Sequence, residues 1–240
     1  MSSPIGINQC LSFINLQLQP PHPGQVQRDG IHHRAVTISR QSGSGGHAVA
    51  AKLVELLQAR TPPEECPWTV FDRNLVERVL DDHHLSSRLA RFMPEDRVGE
   101  ISDTIDELFG LHPPSWTLVR KSADTILRLA EMGNVILIGR AANVITRRLD
   151  YVFHVRLVGS LERRVKYIQE FEHLDHKSAL ATVDRKDLGR RRYLKKYFDQ
   201  DIDNPLLYHM VINTDLVTYA DAARLIADAM SMKVGAEALV

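Results

Sequence analysis

The sequence predicts an α/β fold built on a parallel sheet, and three observations carry that expectation. Short β-branched or apolar runs stand at residues 36–39, 134–138 and 151–158. Apolar residues at helical spacing separate them, and a glycine-rich loop, Ser42-Gly43-Ser44-Gly45-Gly46, leads from the first run into a helical pattern. Strands that alternate with helices pair in parallel. Strand, glycine loop and helix in that order form an anion cradle, because glycines let backbone N–H groups turn inward and the helix N-terminus adds partial positive charge.

At 240 residues the chain fits one α/β domain with a substantial core. An apolar content of 44% and a charged content of 25% match a soluble globular protein. The formal net charge is zero, so any anion binding must come from local clusters and not from a global attraction to nucleic acid or an anionic membrane. Cys10 and Cys66 do not make a disulfide framework, and a reduced, cytoplasmic setting is the simpler expectation. No apolar run approaches the roughly 20 residues that span a bilayer, and the N-terminus lacks the pattern of a secretory signal.

Residues 1–33 read as an N-terminal extension, with a turn-rich break at Pro20-Pro21-His22-Pro23-Gly24. Its apolar residues, among them Ile7, Leu11, Phe13 and Ile14, are expected to dock on the domain or on a second copy of the chain, or to belong to an unstructured leader. The strand at 36–39 and the loop follow. Compared with the phosphate-loop signature G-x-x-x-x-G-K-[ST], Arg40 stands at the first glycine, Gly46 at the lysine, and His47 and Ala48 where a hydroxyl would meet magnesium. The alternative is a Gly/Ser turn with no ligand. Ala48, Val49, Leu53, Leu56 and Leu57 then mark a helix.

A second strand is expected at 68–71, with Asp72-Arg73 at its carboxyl end, where open α/β sheets bind ligands. The alternative, and the commoner role of a lone Asp at such a place, is that Asp72 caps the helix beginning at Asn74. Residues 74–132 read as helical with breaks near Pro94 and at 112–114. His83, His84 and His112 have no ligand partners at metal spacing, so no metal site is expected. The acidic run 100–107 is expected to be a solvated helix face.

The run 134–138 suits the centre of the sheet, and Gly139-Arg140 follows it directly. A guanidinium at a strand tip forks onto phosphate, or else pairs with a local acid. A strand at 151–158 leads to a helix capped by Ser160. Between Arg185 and Lys196, seven cations occur in twelve residues, opposed only by Asp187. At helical spacing Lys186, Arg190 and Leu194 share one side, and Asp187 and Arg191 another. Such a helix can close over a polyphosphate or track a nucleic acid, or be a solvated charged face. A turn at Asp203-Asn204-Pro205, an edge strand at 208–213, a closing helix around Ala222 and Ile226, and a loose tail over 232–240 complete the chain.

In this order, the segments Ile38-Ser39-Arg40-Gln41-Ser42-Gly43-Ser44-Gly45-Gly46-His47, Ile138-Gly139-Arg140, and Asp187 through Tyr193 to Tyr208-His209-Met210-Val211-Ile212-Asn213-Thr214-Asp215 resemble the cytidylate-kinase-like branch of the nucleoside monophosphate kinases. The resemblance covers about residues 34–230. In that branch the loop is commonly Gly-Ser-Gly-Gly followed by a basic residue. It implies a P-loop NTPase-type three-layer α/β/α fold with a parallel central sheet and a helical lid. By position, Ser42, Gly43, Ser44, Gly45, Gly46 and His47 would hold the phosphates of ATP. Asp72 and Arg73 would face the acceptor nucleotide, Arg140 would contact the acceptor phosphate, and Arg190, with Arg185 as a nearby option, would be the lid arginine. Arg73 and Ala141 depart from the residues that true cytidylate kinases place there.

The expected activity is therefore Mg²⁺- and ATP-dependent phosphoryl transfer to a nucleoside monophosphate or related small acceptor. The missing lysine, Ala48 and Ala141 favour an alternative, a nucleotide sensor or pseudokinase that binds without transfer. Nucleic-acid binding is disfavoured by the neutral charge and the lack of interleaved aromatics.

Overall fold

A computed structural model describes residues 11–15, 34–62, 65–81, 101, 103–105, 108 and 116–237. His83, His84, His112, the breaks near Pro94 and at 112–114, and half of the acidic run 100–107 lie outside the described residues. So do 1–10, 16–33 and 238–240.

Five strands form one parallel sheet: β1 (Ala35–Arg40), β2 (Thr69–Phe71), β3 (Val135–Ile138), β4 (Val152–Val158) and β5 (Met210–Asn213), in the order β2-β3-β1-β4-β5. The sequence placed residues 134–138 at the sheet centre. β3 is interior, but the middle strand is β1, which pairs with β3 on one side and β4 on the other. β1 hides its position because it carries hydroxyls. Thr37 and Ser39 are buried among polar partners on β4: Thr37 Oγ1 lies 2.9 Å from His154 Nδ1, and Arg156 donates to Ser39 Oγ at 3.0 Å.

Helices cover both faces, as a parallel sheet requires. On one side lie α1 (Gly46–Arg60) and the closing helix α7 (Tyr219–Glu237). Val49, Leu53 and Leu57 of α1 meet Ala223, Ile226 and Met230 of α7 over Val36, Ile38, Ile136 and Val155. Arg60 also donates to Asp228 across this pair at 2.7 Å. On the other side, α2 (Arg73–Asp81) and α3 (Thr117–Met132) bury Leu75, Val76, Ile126, Leu127 and Ala130 against Ala35, Val135 and Leu137. Phe13 and Ile14, in the helical stretch 11–15, are buried in this second core, where Phe13 meets Phe71 edge-to-face at 5.8 Å. These two residues pack on the domain. The result is the expected three-layer α/β/α architecture.

Two further helices follow β4 and make the lid. α5 (Leu161–Glu172) is capped by Ser160, and α6 (His176–Phe198) by Asp175, whose carboxylate accepts from Ser178 N at 2.9 Å. Val165, Ile168, Ala179 and Val183 are their shared core. The short α4 (Ala142–Ile145) follows β3. One expectation is corrected: α7 runs to Glu237, through most of the span read as a loose tail, since nothing in Ser231-Met232-Lys233-Val234 breaks a helix.

Asp72 performs the capping role. Its Oδ1 accepts from Asn74 N at 2.9 Å and Leu75 N at 3.1 Å, and its Oδ2 takes His47 Nε2 at 3.3 Å. The His47 bond, aided by the two amides against the opposing effect of burial, holds its carboxyl below the usual range. A depressed carboxyl contributes stability that is present above its unfolded pKa, about 3.9, and is lost as pH falls through the folded value. Asp72→Asn is therefore expected to lower the urea midpoint at pH 7, with the difference from the parent protein shrinking as pH falls below about 4. A difference that does not shrink with falling pH would refute the ionic contribution. In the other core, Leu53 is fully buried. Leu53→Ala is expected to cost about 2–5 kcal/mol in urea unfolding at unchanged m-value.

Candidate active site

The glycine loop between β1 and α1 is held by its surroundings and not by its own side chains. Gly43 and Gly45 adopt left-handed φ of 83° and 78°. A Cβ at Gly43 would run into the carbonyl of Arg164, and one at Gly45 into the ring of Tyr219. Ser44 donates its hydroxyl to the carbonyls of Gln41 at 2.9 Å and Leu157 at 3.3 Å, which leaves it tied inside the loop. Gln41 Oε1 accepts from Gly159 N at 3.0 Å. Gly45 caps α1 without any side-chain hydrogen bond, and the first turn of this 15-residue helix has no acid. Its leading amides therefore face the loop without a competing carboxylate.

The lid meets the loop through one carboxylate. Asp187 of α6 accepts from Ser42 N at 2.7 Å, from Arg164 Nη1 at 2.6 Å and from Arg190 Nη1 at 2.8 Å. Arg164 also donates to the carbonyl of Ser42 at 3.1 Å, so the Ser42 peptide is gripped on both sides.

Beside the loop, the tips of β1 and β3 open into a cavity of about 450 Å³. Six cations line it: Arg40, Arg73, Arg140, Arg185, Lys186 and Arg190. Among the described residues, no carboxylate does. Lys186, Arg190 and Leu194 all line it, so the side of α6 predicted by helical spacing is the one turned inward, whereas Arg191, Arg192, Lys195 and Lys196 are exposed. The solvated-face reading holds only for that outer side.

Arg40 sits deepest in electrostatic terms. Desolvation, with repulsion from Arg190, pushes its pKa down to about 9, against attraction from Asp72 and Asp187. It remains charged at neutral pH and gains from any anion that enters. Gly139 makes room for it, because a Cβ there would overlap the Arg40 guanidinium. Gly46 packs on the Arg40 stem, its Cβ position 3.0 Å from Cγ, so loop and cavity share a wall.

Arg140 pairs with Glu77 and lies over the Tyr193 ring at 5.8 Å. Desolvation and the nearby Arg73 lower its pKa. Arg73 shares the same carboxylate, at 3.2 Å from Glu77 Oε1. Burial likewise lowers the pKa of Arg190, with Asp187 opposing the shift.

Of the residues singled out in the sequence, Arg73, Arg140, Arg185 and Arg190 converge on the cavity, and residues 42–47 form the adjoining loop. Asp72 does not line the cavity; its carboxylate is used by α2 and His47. Arg40, Glu77, Asn143, Arg164 and Asp187 were not singled out as site residues. Arg40 appeared only as a departure from a glycine signature, and Asp187 only as the acid interrupting a basic run. No group of three or more potential metal ligands occurs among the described residues, and no described helix is long and apolar enough to cross a membrane.

Comparisons with known proteins agree with this geometry. A cytidylate kinase of Pyrobaculum neutrophilum is 27% identical over 194 residues, which cover 80% of this chain and 90% of that protein. A cytidylate kinase of Pyrobaculum arsenaticum is 25% identical with the same coverage. The crystal structure of an uncharacterized protein from Eubacterium ventriosum superposes with a TM-score of 0.65 at 20% identity, covering 83% of this chain and 99% of that one, and supports the fold. The cytidylate kinase-like family profile matches residues 35–216, so three-quarters of the sequence, from the start of β1 past the end of β5, carries the family pattern, and the chain belongs to the cytidylate kinase-like family.

Proposed function

We propose that the protein is a cytoplasmic kinase that transfers the terminal phosphoryl group of ATP to a nucleoside monophosphate, cytidylate or a close relative. The observation that carries this reading is the shared wall between the glycine loop and a cavity lined by six cations and no described carboxylate. A donor phosphate chain on the loop and an acceptor phosphate in the cavity would meet across Arg40 and Gly46.

In this reading the backbone amides of Gly43, Gly45, Gly46 and His47 hold the donor phosphates, while Asp187 keeps the Ser42 amide, and the first turn of α1 adds its partial charge. Arg140 and Arg73 orient the acceptor phosphate, while Arg190 and Arg185 approach from the lid. One acceptor phosphate oxygen forms a bond to the terminal phosphorus as the bond to ADP breaks. Positioning and charge neutralisation account for most of the catalysis in such a transfer. Arg40 and Arg190 supply positive charge where the loop lacks its lysine. Asp72 acts indirectly, by holding His47 at the loop.

The loop suits the phosphates of ATP, whereas at the position of the magnesium-binding hydroxyl Ala48 has none, and Ser44 Oγ is turned to two carbonyls. Mg²⁺ would enter on the nucleotide and reduce its negative charge, and no protein ligand is assigned to it.

A coupled assay with ATP, Mg²⁺ and a panel of nucleoside monophosphates is expected to give turnover with CMP among the accepted substrates. Arg140→Ala is expected to lower kcat/KM for the acceptor by about a hundredfold or more, with KM for ATP nearly unchanged. Nucleotide binding without turnover of any monophosphate would reject the kinase reading in favour of the sensor.

A further inference from the structure

The corner from β3 to α4 contains the longest left-handed run among the described residues: Gly139, Arg140 and Ala141 follow one another at φ of 79°, 55° and 58°. Two of its side-chain atoms, Arg140 Nε and Asn143 Nδ2, are buried without a hydrogen-bond partner. No other buried side-chain nitrogen or oxygen is left so among the described residues. Asn143 is only 5% exposed, yet both residues line the cationic cavity.

Buried donors in native proteins are nearly always satisfied, and an orphan is costly enough to call for a reason. Both orphans are N–H groups, so whatever completes them must bring lone pairs. Glu77 and the Tyr193 ring already fix the Arg140 guanidinium, so its Nε direction is set before any ligand arrives. An amide at position 143 adds a donor without adding charge, in a cavity where Arg40 and Arg190 already repel each other.

We propose that Asn143 is an acceptor-binding residue whose side-chain amide donates to the same acceptor phosphate that Arg140 engages. This rests on the phosphoryl-transfer reading above. Neither the left-handed backbone nor the short helix carries it; the pair of orphan donors in one cavity does.

The test is steady-state kinetics of the full chain with ATP and each monophosphate the parent accepts, CMP first, for Asn143→Ala and Asn143→Asp. Both variants are expected to raise the KM of every accepted monophosphate by a similar factor, about tenfold or more, with KM for ATP within twofold. Asn143→Asp should be the worse, since it removes the donor and sets a carboxylate against a phosphate. Thermal melts should stay close to the parent. Three results would overturn the role: acceptor KM unchanged in both variants, a change confined to one base, or parallel rises in both KM values with a lowered Tm. The first two outcomes leave the kinase reading standing. A parent protein that phosphorylates no monophosphate removes the kinase reading, and the role of Asn143 with it.

Discussion

One carboxylate sets the geometry on which the site depends. Asp187 joins the lid helix to a loop amide and to two guanidinium groups, Arg164 and Arg190, at 2.6–2.8 Å. Its contribution to stability is modest, because desolvating three charges offsets much of their attraction. Its contribution to placement is large. Without it, Arg164 and Arg190 would lose their shared counter-charge, and nothing else described would tie α6 to Ser42. Because this acid and Glu77 stand outside the cavity lining, the cavity keeps its positive potential while the guanidinium groups around it stay in fixed positions.

The sheet was legible in the sequence wherever a strand was purely apolar, as at Val135-Ile136-Leu137-Ile138. β1 was read as a buried strand but not as the middle one, because the polar partners of Thr37 and Ser39, His154 and Arg156, come into view only across the sheet. The same holds for the site. Glycines and the strand-tip arginine announced themselves by type and spacing. Arg40 did not, since its place in the cavity depends on the missing side chain of Gly139, just past the end of β3 and nearly a hundred residues later. Asp187 sat inside a charge run, and charge runs are usually solvent-facing. The packing of α6 on α5, and of Leu194 into the second core, distinguishes the inner row of that helix from the outer one.

Sequence patterns also give no account of which groups lack partners. Asn143 reads as an ordinary polar residue at the start of a short helix. That its amide is buried and unmatched follows from the backbone path through Gly139, Arg140 and Ala141, which no composition or period encodes. Functional corners of this kind are where local preference and observed conformation are expected to part.

The two left-handed glycines of the loop have a bearing on how the molecule is made. Gly43 fits only against the backbone of Arg164, and Gly45 only against the ring of Tyr219, at the head of the last helix. The loop is translated well before the surfaces that shape it. The packed form of the cradle is therefore complete only once α5 and α7 have folded back beside it.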